Sequence, residues 1–201
     1  MSARLVTIGA SLGGFSALKV ILRGLRPEFS VPVAIVQHQG GASAGDLPSL
    51  LQRYCPLPVR EPHDKEPIAP GSVYVAPPGY HLLVEDGAFA LTTEGPVLFA
   101  RPSIDVFFES AAKGYGSGAI GVALTSSSED GVLGLKAIKR RGGLVVVQDP
   151  ATAESRVLPD AALAALTPDA VLPPPKIAPY LALMCSFSNS QQAALRTRRA
   201  S

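Results

Sequence analysis

Four short, mostly apolar runs, Leu5 to Gly9, Val33 to Val36, Ala119 to Leu124 and Leu144 to Val147, alternate along this chain with stretches whose apolar residues recur at helical spacing. The first run leads to Leu18, Ile21, Leu22 and Leu25, the second to Leu47, Leu50 and Leu51, the third to Leu133, Leu135 and Ile138. A strand that is apolar on both sides has to be covered on both sides. Alternation with amphipathic helices achieves this in a parallel sheet joined by right-handed crossovers. The fold class expected is therefore α/β, doubly wound, with a mostly parallel sheet and helices on both faces. With 201 residues, 47% of them hydrophobic, the chain can bury one sizeable core.

Between Pro56 and Pro102 the alternation lapses. Short runs at Ser72 to Ala76, His81 to Glu85 and Ala88 to Thr92, the last two joined by Asp86-Gly87, predict a small antiparallel β insertion at an edge. Ser103 then stands as the cap of a helix with Ile104, Phe107, Phe108, Ala111 and Ala112 on one stripe. Near the end, a helix about 159–166, a spacer Pro173-Pro174-Pro175 and a helix about 177–184 close a single domain over 1–185. Residues 186–201 are expected to be a loose polar tail.

Charge narrows the functions open to the chain. The formal net charge is +2, but Arg196, Arg198 and Arg199 belong to the tail, and the remainder carries 15 basic against 16 acidic side chains. A near-neutral body without a basic stripe argues against nucleic acid as a partner. Cys55 and Cys185 are far apart and lack neighbours at metal-ligand spacing, so neither a disulfide framework nor a metal site is expected, and two free thiols suit a reducing cytoplasm. No apolar run approaches 18 residues, so no membrane insertion is expected.

In open α/β sheets ligands bind beyond the carboxyl ends of the strands. Three residues fall there: Ser11 in the turn Gly9-Ala10-Ser11-Leu12-Gly13, His38 after the second strand, and Asp130 in the loop after Leu124. They have the side chains of a nucleophile, a general base and an orienting carboxylate, and a strand-turn-helix corner displays a serine beside helix N-terminal N–H groups. Each also has a plain structural use: Ser11 as a helix cap, His38 as a hydrogen-bonded strand-end residue, Asp130 as the cap of the helix that follows it. His63 and His81 are expected at the surface. A dinucleotide site fits poorly, because Ser11 replaces the glycine that admits a pyrophosphate and Gln37-His38 replaces the acidic ribose ligand.

From about Val6 to about Leu166 the chain resembles the catalytic domain of the bacterial chemotaxis protein-glutamate methylesterases, the CheB type. The resemblance rests on Ile8 to Gly14, Gln37-His38, Pro70-Gly71 with Tyr74 to Pro77, Arg101 to Asp105, Gly121 to Thr125, and Asp130-Gly131, in that order. It implies a serine esterase that removes methyl groups from glutamate methyl esters of chemoreceptors and also deamidates receptor glutamines. Ser11 would be the nucleophile, His38 the base and Asp130 its orienter, with backbone N–H groups of Leu12 and Ser127 as the oxyanion hole and no metal or cofactor. The partners implied are methylated cytoplasmic receptor helices and a separate receiver protein, since no receiver domain is expected in this chain. Two segments depart from the pattern: Ser126-Ser127-Ser128-Glu129 where glycine is usual, and Asp160 where a basic residue is usual. The serine-rich loop makes a non-catalytic adaptor, binding a receptor or signalling partner, the alternative reading.

Overall fold

The structure, a computed structural model, describes residues 4–39 and 46–186. The tail expected at 186–201 therefore lies, beyond Ser186, outside the described residues. The chain begins β1 (Leu5–Ala10), α1 (Gly14–Arg23), β2 (Val33–Gln37), α2 (Leu47–Gln52), β3 (Val59–Arg60) and β4 (Val73–Val75). It continues with β5 (His81–Glu85), β6 (Ala88–Thr92), α3 (Ile104–Tyr115), β7 (Ala119–Ala123), α4 (Val132–Arg140) and β8 (Leu144–Gln148), and ends with α5 (Val157–Ala165), β9 (Ala170–Leu172) and α6 (Pro174–Ser186).

Seven strands form one parallel sheet in the order β3-β4-β2-β1-β7-β8-β9, and β5 and β6 form a separate antiparallel hairpin. Side chains alternate across the sheet and so build two cores. On one face Val6, Ile8 and Ala10 of β1 pack with Leu18 and Ile21 of α1, Leu51 of α2 and Leu181 of α6. On the other, Val145 and Val147 of β8 pack with Phe107 and Phe108 of α3, Ile138 of α4, Leu158 of α5, and Leu82 and Phe89 of the hairpin. The doubly wound reading of the sequence is what the structure has.

Two readings of the sequence need correction. The run about Val73 to Val75 is not part of the antiparallel insertion: it is β4, parallel to β2 with Val33 opposite Val73, and all three of its residues are buried. An apolar strand covered on both faces belongs inside a parallel sheet rather than in a half-exposed hairpin. The triple proline is not a spacer either, because α6 starts at Pro174. Proline suits the first turn of a helix, where its missing N–H would have had no intrahelical partner.

This topology decides where a site can form. β1 lies between β2 and β7, with Ala10 opposite Gln37 and Gly9 opposite Ala123, so the three strands end level with one another. The chain leaves β1 for β2 on one side, whereas β7 adds on the other, and the two flanking connections diverge. A crevice opens at such a switch point.

Candidate active site

Ser11 sits immediately after β1. Its N–H donates to the Thr125 carbonyl at 3.0 Å, and its own carbonyl accepts from Gly14 N–H at 2.8 Å and from Gln37 Nε2 at 2.8 Å. The cap of α1 is Gly13, in the left-handed region at φ 78°, with no side-chain cap bond. Ser11 is therefore not spent as a helix cap, and among the described residues its hydroxyl has no hydrogen-bond partner.

His38 follows β2, with its N–H continuing the ladder to the Ala10 carbonyl at 2.9 Å. Its Nε2 lies 2.8 Å from Oδ2 of Asp130, whose side chain is fully buried. Asp130 collects three further donors: Ser103 Oγ at 2.8 Å and Asp105 N–H at 3.0 Å on Oδ1, and Ile104 N–H at 2.7 Å on Oδ2. It does cap a helix, but not the one that follows it. The cap of α4 is Gly131, and the Asp130 carboxylate instead closes the first turn of α3. Sequence spacing could not show this, because the first turn of α3 lies 25 to 26 residues earlier in the chain.

Burial alone would push the Asp130 carboxyl upward, but the His38 bond, the N–H groups of Asp105 and Ile104 and the Ser103 hydroxyl together hold it below the usual carboxylate range. Asp105, the next acid along, goes the other way. Burial pushes it up to about 6; the Gly134 N–H it accepts at 2.8 Å opposes this, and the charge of Asp130 adds to it. Of two neighbouring buried carboxyls, one is held ionised and the other is moved toward protonation.

His81 is also a correction. Expected at the surface, it is 1% exposed; its Nδ1 accepts the Ser103 N–H at 3.1 Å and its Nε2 donates to the Gly95 carbonyl at 3.0 Å. It thus supports the serine that supports Asp130. His63 is exposed, as expected.

Ser11, Leu12, Gly13, Gln37, His38 and Ser127 share an open cleft of about 550 Å³, which Glu154 borders. The backbone N–H groups of Leu12 and Ser127 donate no hydrogen bond among the described residues. The cleft is thus lined by a serine hydroxyl, by two residues whose N–H groups are unpaired among the described residues, and by an imidazole fixed by a buried acid.

The CheB methylesterase family model matches residues 6–181. This chain belongs to the CheB methylesterase family. A relative from Leptospira interrogans (strain Fiocruz L1-130) is 47% identical over 179 residues, spanning 89% of this chain and 93% of its own length. The protein-glutamate methylesterase/protein-glutamine glutaminase 2 of Anaeromyxobacter dehalogenans (strain 2CP-C) is 42% identical over 84% of this chain, which matches 49% of that protein. The crystal structure of the Thermotoga maritima CheB methylesterase catalytic domain superposes with a TM-score of 0.85 at 33% identity, covering 90% of this chain and 98% of that one. The match reaches further than the motifs read from sequence, taking in β9 and most of α6.

Both departures from the CheB pattern have local physical accounts. The serine loop folds without glycine because its hydroxyls replace conformational freedom with bonds: Ser126 Oγ donates to the Ser128 carbonyl and accepts the Ser128 N–H, at 3.0 and 3.1 Å, and Ser128 Oγ accepts the Asp130 N–H at 3.1 Å. No residue from 126 to 129 has a positive φ. Asp160 is engaged by Arg156 one helical turn earlier, at 2.6 Å, on the exposed side of α5. Among the described residues no helix is long and apolar enough to cross a membrane.

Proposed function

We propose that this chain hydrolyses γ-methyl esters of glutamate side chains on chemoreceptors and deamidates glutamines on the same receptors, with Ser11 as nucleophile, His38 as general base and Asp130 as the group that fixes the imidazole. The observation that carries this reading is the 2.8 Å pairing of His38 with a fully buried, multiply hydrogen-bonded Asp130 at the cleft that holds Ser11.

An ionised Asp130 can only accept, so the proton between the two groups belongs to Nε2 of His38 and the lone pair of Nδ1 remains for the serine. Ser11 Oγ attacks the ester carbonyl as its proton passes to Nδ1. The tetrahedral oxyanion is held by N–H groups of Leu12 and Ser127, which are free to donate. Collapse expels the methoxy group, which takes the proton from His38 and departs as methanol, leaving a glutamyl ester on Ser11. Water, deprotonated by His38, then attacks that ester, and Ser11 leaves with the proton restored. An amide follows the same course with ammonia as the leaving group.

The substrate side is the methylated cytoplasmic helices of a chemoreceptor, with the protein acting in the cytoplasm beside them. The names of the relatives support the ester and amide activities; the near-neutral body supports a protein substrate over nucleic acid. The test is methanol release from methylated receptor by the intact protein and by Ser11→Ala. Release that disappears in the variant is the expected result. Release by neither protein, together with retained receptor binding, makes this chain an adaptor instead.

A further inference from the structure

Gln37 is the last residue of β2, immediately before His38, and is 8% exposed. Its Nε2 uses both hydrogens on main-chain carbonyls of the two segments that meet at the site: Ser11 at 2.8 Å and His38 at 2.9 Å. Its Oε1 is buried with no hydrogen-bond partner among the described residues. A buried acceptor left unpaired is unfavourable, and a methionine of similar length would avoid it. What distinguishes glutamine at this position is the pair of donors.

The surrounding packing holds that amide in one place. A Cβ built on Gly14 would overlap Oε1 of Gln37 and approach Ala10 Cβ to 2.7 Å, so the first residue of α1 has to be glycine for the amide to lie beneath the turn. The bond to the Ser11 carbonyl has a second effect. In a trans peptide the N–H points opposite to the preceding carbonyl. With the Ser11 oxygen drawn toward Gln37 Nε2 and Gly14 N–H, the Leu12 N–H is turned the other way.

We propose that Gln37 is a positioning residue for the hydrolysis: its amide ties the backbone of the nucleophile turn to that of the residue bearing the base and aims the Leu12 N–H at the developing oxyanion. This rests on the roles given above to Ser11, His38 and Leu12. The amide touches neither the ester nor the reacting atoms, and acts through the two backbones it joins.

The test uses the full chain with Gln37→Met, which keeps the volume and removes both donors, and Gln37→Glu, which keeps the shape and regains one donor only when its carboxyl is protonated. Two rates are read: steady-state methanol release from methylated receptor, and covalent labelling of Ser11 by a fluorophosphonate, which needs no receptor. Labelling of the wild type but not of Ser11→Ala establishes the nucleophile independently, so failure of the catalytic reading is seen there and not in the Gln37 variants. Because loss of one oxyanion donor slows a serine protease about 100- to 1000-fold, partial misaiming is expected to lower kcat and the labelling rate at least about tenfold in Gln37→Met, with KM within about twofold. The activity of Gln37→Glu relative to wild type is expected to rise at least about fivefold from pH 8 to pH 6 as the carboxyl gains its proton. A Gln37→Met protein that labels at the wild-type rate overturns the proposal. So does a Gln37→Glu ratio that stays flat with pH, which also decides the matter if Gln37→Met fails to fold.

Discussion

Asp130 shows most clearly how one residue serves two purposes. Its two oxygens accept four hydrogen bonds, one from the imidazole and three from the start of α3. Asp130→Asn turns one acceptor into a donor that faces N–H and O–H groups already pointing inward. It is expected to lower kcat for methanol release by about 10⁴, as loss of the orienting acid does in other serine hydrolases. It should also remove about 3 kcal/mol of stability, the scale of breaking a buried charged network, read by urea unfolding. An Asp130 variant with wild-type stability would contradict the hydrogen-bond geometry around it. By contrast Ser11→Ala, at a half-buried hydroxyl without a bonding partner among the described residues, should leave the unfolding midpoint nearly unchanged while ending turnover.

The start of α3 is the element on which the site depends. Ser103 caps it by accepting Val106 N–H at 3.4 Å, and the same hydroxyl donates to Asp130. Ser103→Ala is expected to destabilise the protein by about 1 to 2 kcal/mol, measured by chemical denaturation, since it removes a cap and a donor to a buried carboxylate together. The sequence made the cap legible, and the apolar stripe of Phe107, Phe108 and Ala111 along with it. It did not reveal that α3 folds back against the loop of β7, because contacts between segments remote in the chain leave no trace in local periodicity. For the same reason His81 looked like a surface residue on an alternating strand: its alternation assigns a face of the hairpin, but not that α3 covers that face. The two edge strands escaped notice because two or three residues are too few to establish a period, whereas Ser11 and His38 were legible through their place at the ends of long apolar runs. The start of α6 is not legible from the prolines, because proline stops a helix in its interior but suits its first turn.

Over the whole molecule the two buried carboxyls act on pH stability with opposite sign. Asp130 is depressed in the folded state, so its contribution is present above its unfolded value and is lost as pH falls through its folded one. Asp105 is raised from 3.8 to about 6, so it disfavours the folded state above about pH 6, and this penalty disappears as pH falls toward 4. Wild type is therefore expected to gain stability relative to Asp105→Asn between pH 7 and pH 4.5, measured as the difference in urea unfolding free energy at the two values. A difference that stays constant, or changes the other way, would mean Asp105 is ionised as readily in the fold as out of it. Because the acid of the site is also the clasp of a helix, the scaffold and the chemistry cannot be lost in an arbitrary sequence. A descendant that gave up hydrolysis could shed its unbonded hydroxyl freely, yet would go on carrying the aspartate, so a silent relative of this protein would be recognised by a missing serine above an intact acid.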